Sequence, residues 1–205
     1  MASVSSQKQH QRRRLDVTQR RQAILQAARS CYAESPYPQV SVADIATGAH
    51  SSTALVFHYF GTKAALYAAV VEDAVSTLAD AQRAAIAALP QGSSKRDRVS
   101  ASIDLYLTHI TAHPQTWAAG LLGGEEPPEA IAVRHQARAA YVDALGELLN
   151  PGEGARQHYA LWGYFGYLDQ ACLRWVQRGC PNDERAALRE SALGALQGAL
   201  GDWGG

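Results

Sequence analysis

His109 and His113 stand four residues apart on one helical face, a spacing that can hold a divalent metal. No carboxylate or cysteine accompanies them nearby and Pro114 ends the helix, so no metal site and no cofactor are expected. Cys31, Cys172 and Cys180 are odd in number and far apart, with no CxxC spacing, which argues against a disulfide framework or zinc knuckle and for a reducing, cytoplasmic setting. No G-x-S-x-G, P-loop, HExxH or dinucleotide fingerprint occurs, so no catalytic residue is assigned and an enzyme is not expected. Asp169 is a different matter. A carboxylate at helical spacing from Trp162, Phe165 and Cys172 needs a partner or water, either Arg138 or Arg134, or a bound ligand.

Charge points elsewhere. The chain is formally neutral, yet residues 1–63 carry eight Lys/Arg against three acids, a net +5, while the remainder carries eleven against sixteen, a net −5. A basic head on an acidic body suits a polyanionic partner at one end. The N-terminus is polar and basic, without the apolar core of a signal peptide, and no uncharged run approaches the ~20 apolar residues of a membrane span. No membrane partner is expected.

The elements that must position these residues are helical. Residues 1–16 read as a flexible basic arm. Ile24, Leu25, Ala28, Cys31 and Tyr32 then repeat at helical spacing, predicting a helix over 17–34 that Pro36 and Pro38 stop. Ser41 with Asp44 is a capping-box pattern opening a short helix. A turn over 48–51 leads to a second short helix, capped by Ser52 and ending near Phe60. Long and short helices follow over 63–89, through Val99 to Ile110, 114–122, 129–149, 155–178 and 182–202, with Pro and Gly between them. The fold class is all-α, with nine helices: a helix-turn-helix domain over 17–62 and a second domain over 63–205.

Two short helices joined by a four-residue turn can lay the second in a major groove. The strings Arg21-Gln-Ala-Ile-Leu-Gln-Ala-Ala28, Val40-Ser-Val-Ala-Asp-Ile-Ala46 and Val56-Phe-His-Tyr-Phe-Gly-Thr-Lys-Ala-Ala-Leu-Tyr67 sharpen that signal. In order and spacing they resemble the TetR (tetracycline-repressor) family of regulators, over residues 20–70. The resemblance implies a homodimeric repressor on a pseudo-palindromic operator in double-stranded DNA, released by a small apolar or amphipathic effector. It implies that Ser41 faces a phosphate, that Thr53, Ala54 and Leu55 beside the capping Ser52 meet base edges, and that Phe57, His58, Tyr59 and Lys63 lie along the backbone. Arg12, Arg13 and Arg14 are either a solubilising tail or an arm reaching the minor groove. The chain departs from the family at His50, where Gly is usual, at Ser51 for Val, at Leu55 for Thr and at Phe57 for Tyr.

By the same resemblance the last two helices form a four-helix dimer interface, and the body encloses an effector cavity. Candidate lining residues are Leu107, Ile110, Trp117, Leu121, Tyr141, Trp162, Phe165 and Asp169. At 100° per residue, His158, Trp162, Phe165, Asp169, Cys172, Leu173 and Val176 share one face of the penultimate helix. Arg156, Ala160, Gly163, Tyr167, Ala171 and Arg174 share the other, which small residues favour as the partner-facing side. The alternative is a DNA-binding regulator whose body serves only assembly.

Overall fold

The computed structural model describes residues 2–122, 125–152, 154–201 and 203, with side chains described from residue 17 onward. Among them lie nine α-helices and no strand: α1 (Ala2–Glu34), α2 (Val42–Gly48), α3 (Thr53–Phe60), α4 (Lys63–Ala88), α5 (Lys95–Ala112), α6 (Pro114–Leu121), α7 (Pro128–Leu149), α8 (Ala155–Gln177) and α9 (Arg185–Leu200). Local chemistry accounts for their ends. The Ser41 and Ser94 side chains each accept from the backbone N–H three residues on, and Asp44 and Asp97 accept from the cap in return. Gly61 ends α3 at φ +76°, a left-handed backbone that glycine adopts without penalty.

The start of the first helix differs from expectation. Helix α1 begins at Ala2, so the segment read as a flexible arm continues the first helix. Gln, Lys and Arg are good helix formers, and no Pro or Gly precedes Pro36 to interrupt them. The side chains of Arg12, Arg13 and Arg14 lie outside the described residues.

The chain divides into two compact units, Met1–Glu72 with Glu125–Ile131, and Asp73–Gly124 with Ala132–Gly205. The head therefore reaches ten residues past the expected limit at 62, because Leu66, Tyr67 and Val70 on the first turns of α4 are buried. Tyr67 packs edge-on against Tyr32 of α1, centroids 4.7 Å apart, and its hydroxyl donates to Glu126 Oε1 at 2.5 Å. In the second unit α8 packs along α9, and α5 and α6 complete the bundle. Its core gathers Leu107 and Ile110 of α5, Val142 and Leu149 of α7, Leu168 and Cys172 of α8, and Leu193 and Leu196 of α9.

Candidate nucleic-acid interface

Helix α3 is held from beneath and open above. Val56 and Phe60 are buried, and Arg21 of α1 places its guanidinium over the Phe60 ring at 4.8 Å, a contact the sequence did not single out. Ile45 and Ala46 of α2 are buried on the inner side of the corner. The opposite side of α3 presents Thr53, Ala54, Phe57 and His58 exposed, with Leu55 and Tyr59 half-buried. Ser52 caps the helix, its hydroxyl accepting from the Leu55 N–H at 3.2 Å. The capping-box reading of Ser41 holds, with Asp44 N–H donating to its Oγ at 3.1 Å and Ser41 itself exposed at the head of α2.

His50 adopts φ +49° in the turn, the left-handed conformation that glycine takes more easily. Its neighbour Ser51 is half-buried with an Oγ that has no hydrogen-bond partner among the described residues. Lys63 opens α4 as expected, but its ammonium lies over the Tyr37 ring at 4.4 Å and 3.5 Å from the Pro38 carbonyl. Partial burial there holds its pKa below the ordinary lysine value.

The structure brings together only some of the residues expected at an effector site. Leu107 and Ile110 are fully buried core, while Leu121 and Trp162 are exposed. Trp162 is exposed although it shares the face plotted from the sequence with Asp169, Cys172, Leu173 and Val176, which are buried together with Leu161, Tyr164, Leu168 and Trp175. Asp169 does sit in a polar cluster. Arg138 pairs with its Oδ2, Tyr106 O–H donates to its Oδ1 at 3.1 Å, and Trp117 Nε1–H donates to the Tyr106 oxygen at 3.0 Å. The Arg138 guanidinium lies over the Phe165 ring at 5.0 Å, with Tyr141 6.3 Å from that ring. Burial raises the Asp169 carboxyl above its ordinary value, and Arg138 and Tyr106 offset only part of this. Tyr106 was missed by sequence reasoning, although its place on α5 beside Leu107 was a signal.

No group of three or more metal-capable side chains occurs among the described residues. Burial, then His113 and Arg134, hold the His109 imidazole below its ordinary pKa. No single described helix is long and apolar enough to cross a membrane.

A capped corner of two short helices, with the second anchored on one side and bare on the other, defines a helix-turn-helix DNA-binding transcriptional regulator. Residues 24–70 match the model for bacterial regulatory proteins of the tetR family. The HTH-type transcriptional regulator BetI of Agrobacterium fabrum is 30% identical over 179 residues, which are 87% of this chain and 74% of that protein. A tetR-family regulator from Streptomyces coelicolor has the same fold at a TM-score of 0.76 and 23% identity, covering 89% of this chain and 80% of the other. FadR from Bacillus subtilis, solved in complex with stearoyl-CoA, aligns at a TM-score of 0.66 and 18% identity, over 88% and 97% of the two chains. The chain belongs to the TetR family.

Proposed function

We infer that the protein is a homodimeric repressor that grips a pseudo-palindromic operator with α3 and releases it when a small apolar or amphipathic molecule enters its helical body. The observation that carries the reading is the bare face of α3, Thr53, Ala54, Phe57 and His58, over a side fastened by Val56, Phe60 and Arg21. Thr and Ala meet base edges, and Leu55 offers apolar contact suited to a thymine methyl. Ser41, His58, Tyr59 and Lys63 fix register on phosphate, which carries no sequence information.

Dimerisation through α8 and α9 is supported by their outward sides. Tyr159, Trp162 and Tyr167 are exposed there, and a Cβ added at Gly163, Gly166, Gly194 or Gly198 meets nothing within 4 Å in the protomer. Small residues beside exposed aromatics suit close helix approach by a second copy. Effector response is supported by the polar cluster among aromatics at Asp169, and by the likeness to a FadR that binds stearoyl-CoA. An effector releases DNA only if it binds the releasing state better than the DNA-bound one.

The second reading, a body serving assembly alone, is favoured by the satisfied state of Asp169, which already has Arg138 and Tyr106. One experiment separates them. An operator is selected from random duplexes, and the complex is titrated with stearoyl-CoA and a panel of apolar and amphipathic compounds. Release together with a raised melting temperature of the free protein supports the effector reading; neither effect across the panel supports the assembly reading. Failure to enrich any duplex would remove both.

A further inference from the structure

Within the second unit, Asp169 of α8 is only 8% exposed and lies among aromatic rings. Tyr106 O–H donates to its Oδ1, Trp117 backs Tyr106 edge-on with ring centroids 6.1 Å apart, and Phe165 stands one turn earlier on α8. A cation completes the arrangement. Arg138 of α7 reaches Oδ2 and lays its guanidinium over the Phe165 ring at 5.0 Å. A carboxylate at one edge and an aromatic face beneath suit a planar nitrogen cation held partly out of water. Here the protein supplies that cation itself.

We propose that Arg138 is a displaceable occupant of this place, and that the effector carries a planar N–H cation, an amidinium or guanidinium on an apolar body, which takes its position between Asp169 and Phe165. The proposal rests on the effector reading above and names the chemistry of the ligand. Arg138 meets the carboxylate through Nη2 alone, although a guanidinium or amidinium fork can make two parallel bonds to a carboxylate. A free ligand is not tethered to α7 and can complete that fork. The Arg138 side chain is 27% exposed, so its charged head can turn into water once displaced, and Asp169 becomes reachable as it leaves. The same carboxylate counts against an anionic occupant, because an anion drawn to Arg138 would meet a like charge beside it. The satisfied state of Asp169 is then the resting state of the site.

Benzamidinium is the probe, with benzoate as its matched anion and benzyltrimethylammonium as a cation without N–H donors. Calorimetric titration of the full chain measures each one on wild type, Arg138→Ala and Asp169→Asn, and release of the selected operator is followed in parallel. Benzamidinium is expected to bind wild type saturably. It should bind Arg138→Ala roughly tenfold more tightly, because nothing has to be displaced, and Asp169→Asn roughly tenfold more weakly, the worth of a charge-assisted hydrogen bond. Arg138→Ala should also melt below wild type, since it strands a buried carboxylate, and benzamidinium should restore it. Arg96→Ala, which breaks the more exposed pair with Glu190, should gain nothing from the probe beyond what wild type gains. If Arg138→Ala does not fold, wild type against Asp169→Asn decides alone. No saturable binding to wild type, equal affinity for wild type and Asp169→Asn, or benzyltrimethylammonium bound as tightly as benzamidinium would overturn the proposal. Benzoate that releases the operator while benzamidinium fails to bind would overturn it and leave the effector reading standing. Benzamidinium bound through Asp169 with the operator retained would uphold the cation site and defeat the effector reading.

Discussion

Phe57 is 45% exposed on the open side of α3, at a position where the resemblance to the family implies a tyrosine hydroxyl. Phe57→Tyr is therefore expected to tighten binding to operator and scrambled duplex alike, by at most roughly tenfold, the net worth of a neutral hydrogen bond. Titration of both variants at one salt concentration checks it. Weaker operator binding by the tyrosine variant would mean that Phe57 rests against something apolar, such as a thymine methyl. Lys63 poses a different question, since its ammonium already has the Tyr37 ring and the Pro38 carbonyl. Lys63→Ala is expected to weaken all DNA binding without altering sequence preference, with the salt slope lower by about 0.9. A reduced melting temperature with an unaltered slope would confine Lys63 to holding the first turn of α4 against Tyr37. At this scale the structure exposes Thr53, Ala54, Phe57 and His58 on α3, among the residues that the resemblance implied to face DNA, and half-buries Leu55 and Tyr59. The contact of Arg21 with Phe60 escaped notice for a physical reason: it joins α1 to α3 across 39 residues, which no local pattern records.

At the scale of elements, the polar cluster of α5, α7 and α8 gives a pH-dependent expectation. Burial raises the Asp169 carboxyl above its ordinary value of 3.8 despite Arg138 and Tyr106. A carboxyl that holds its proton more tightly folded than unfolded makes the native state less stable as pH rises from the unfolded value through the folded one. Wild-type stability relative to Asp169→Asn should therefore fall as pH climbs upward from 3.8, then level off. Urea unfolding at a series of pH values measures it, and a rising difference would mean that the Arg138 pair outweighs desolvation. At neutral pH the Asn variant should lose less than about 3 kcal/mol, because Arg138 keeps 27% of its side chain in solvent instead of being stranded in the core. The sequence named Arg138 or Arg134 as the partner of Asp169 and had no means of choosing between them.

At the scale of the whole molecule, assembly can be tested without disturbing the protomer. Gly163 lies on the outward side of α8, and a Cβ there meets nothing within 4 Å. Gly163→Leu should leave the fold intact, with a small gain in helix propensity, and shift a dimer towards monomer through overpacking. Sedimentation checks the mass and circular dichroism the fold. An unchanged dimer would move the interface off this side of α8. Ala160 is half-buried within the protomer, so its substitution would mix folding with assembly.

What the sequence by itself determined was the local part of the structure. Ser41 with Asp44, the prolines at 36 and 38, Gly61 and the apolar spacing of each helix act within about four residues, and they set nine helices and the helix-turn-helix corner. The Ser-x-x-Asp pattern recurs at Ser94 and Asp97, where it opens α5. Tertiary structure decided the rest. Trp162 points outward although it shares a plotted face with Asp169, since which arc of α8 is buried depends on how α6 and α9 pack against it. Segment 125–131 joins the head through Glu126 and Tyr67, which are 59 residues apart in the chain. Arg138 and Tyr106 reach Asp169 across 31 and 63 residues. Periodicity gives each helix an apolar side, but the angles at which helices cross determine which distant side chains meet there.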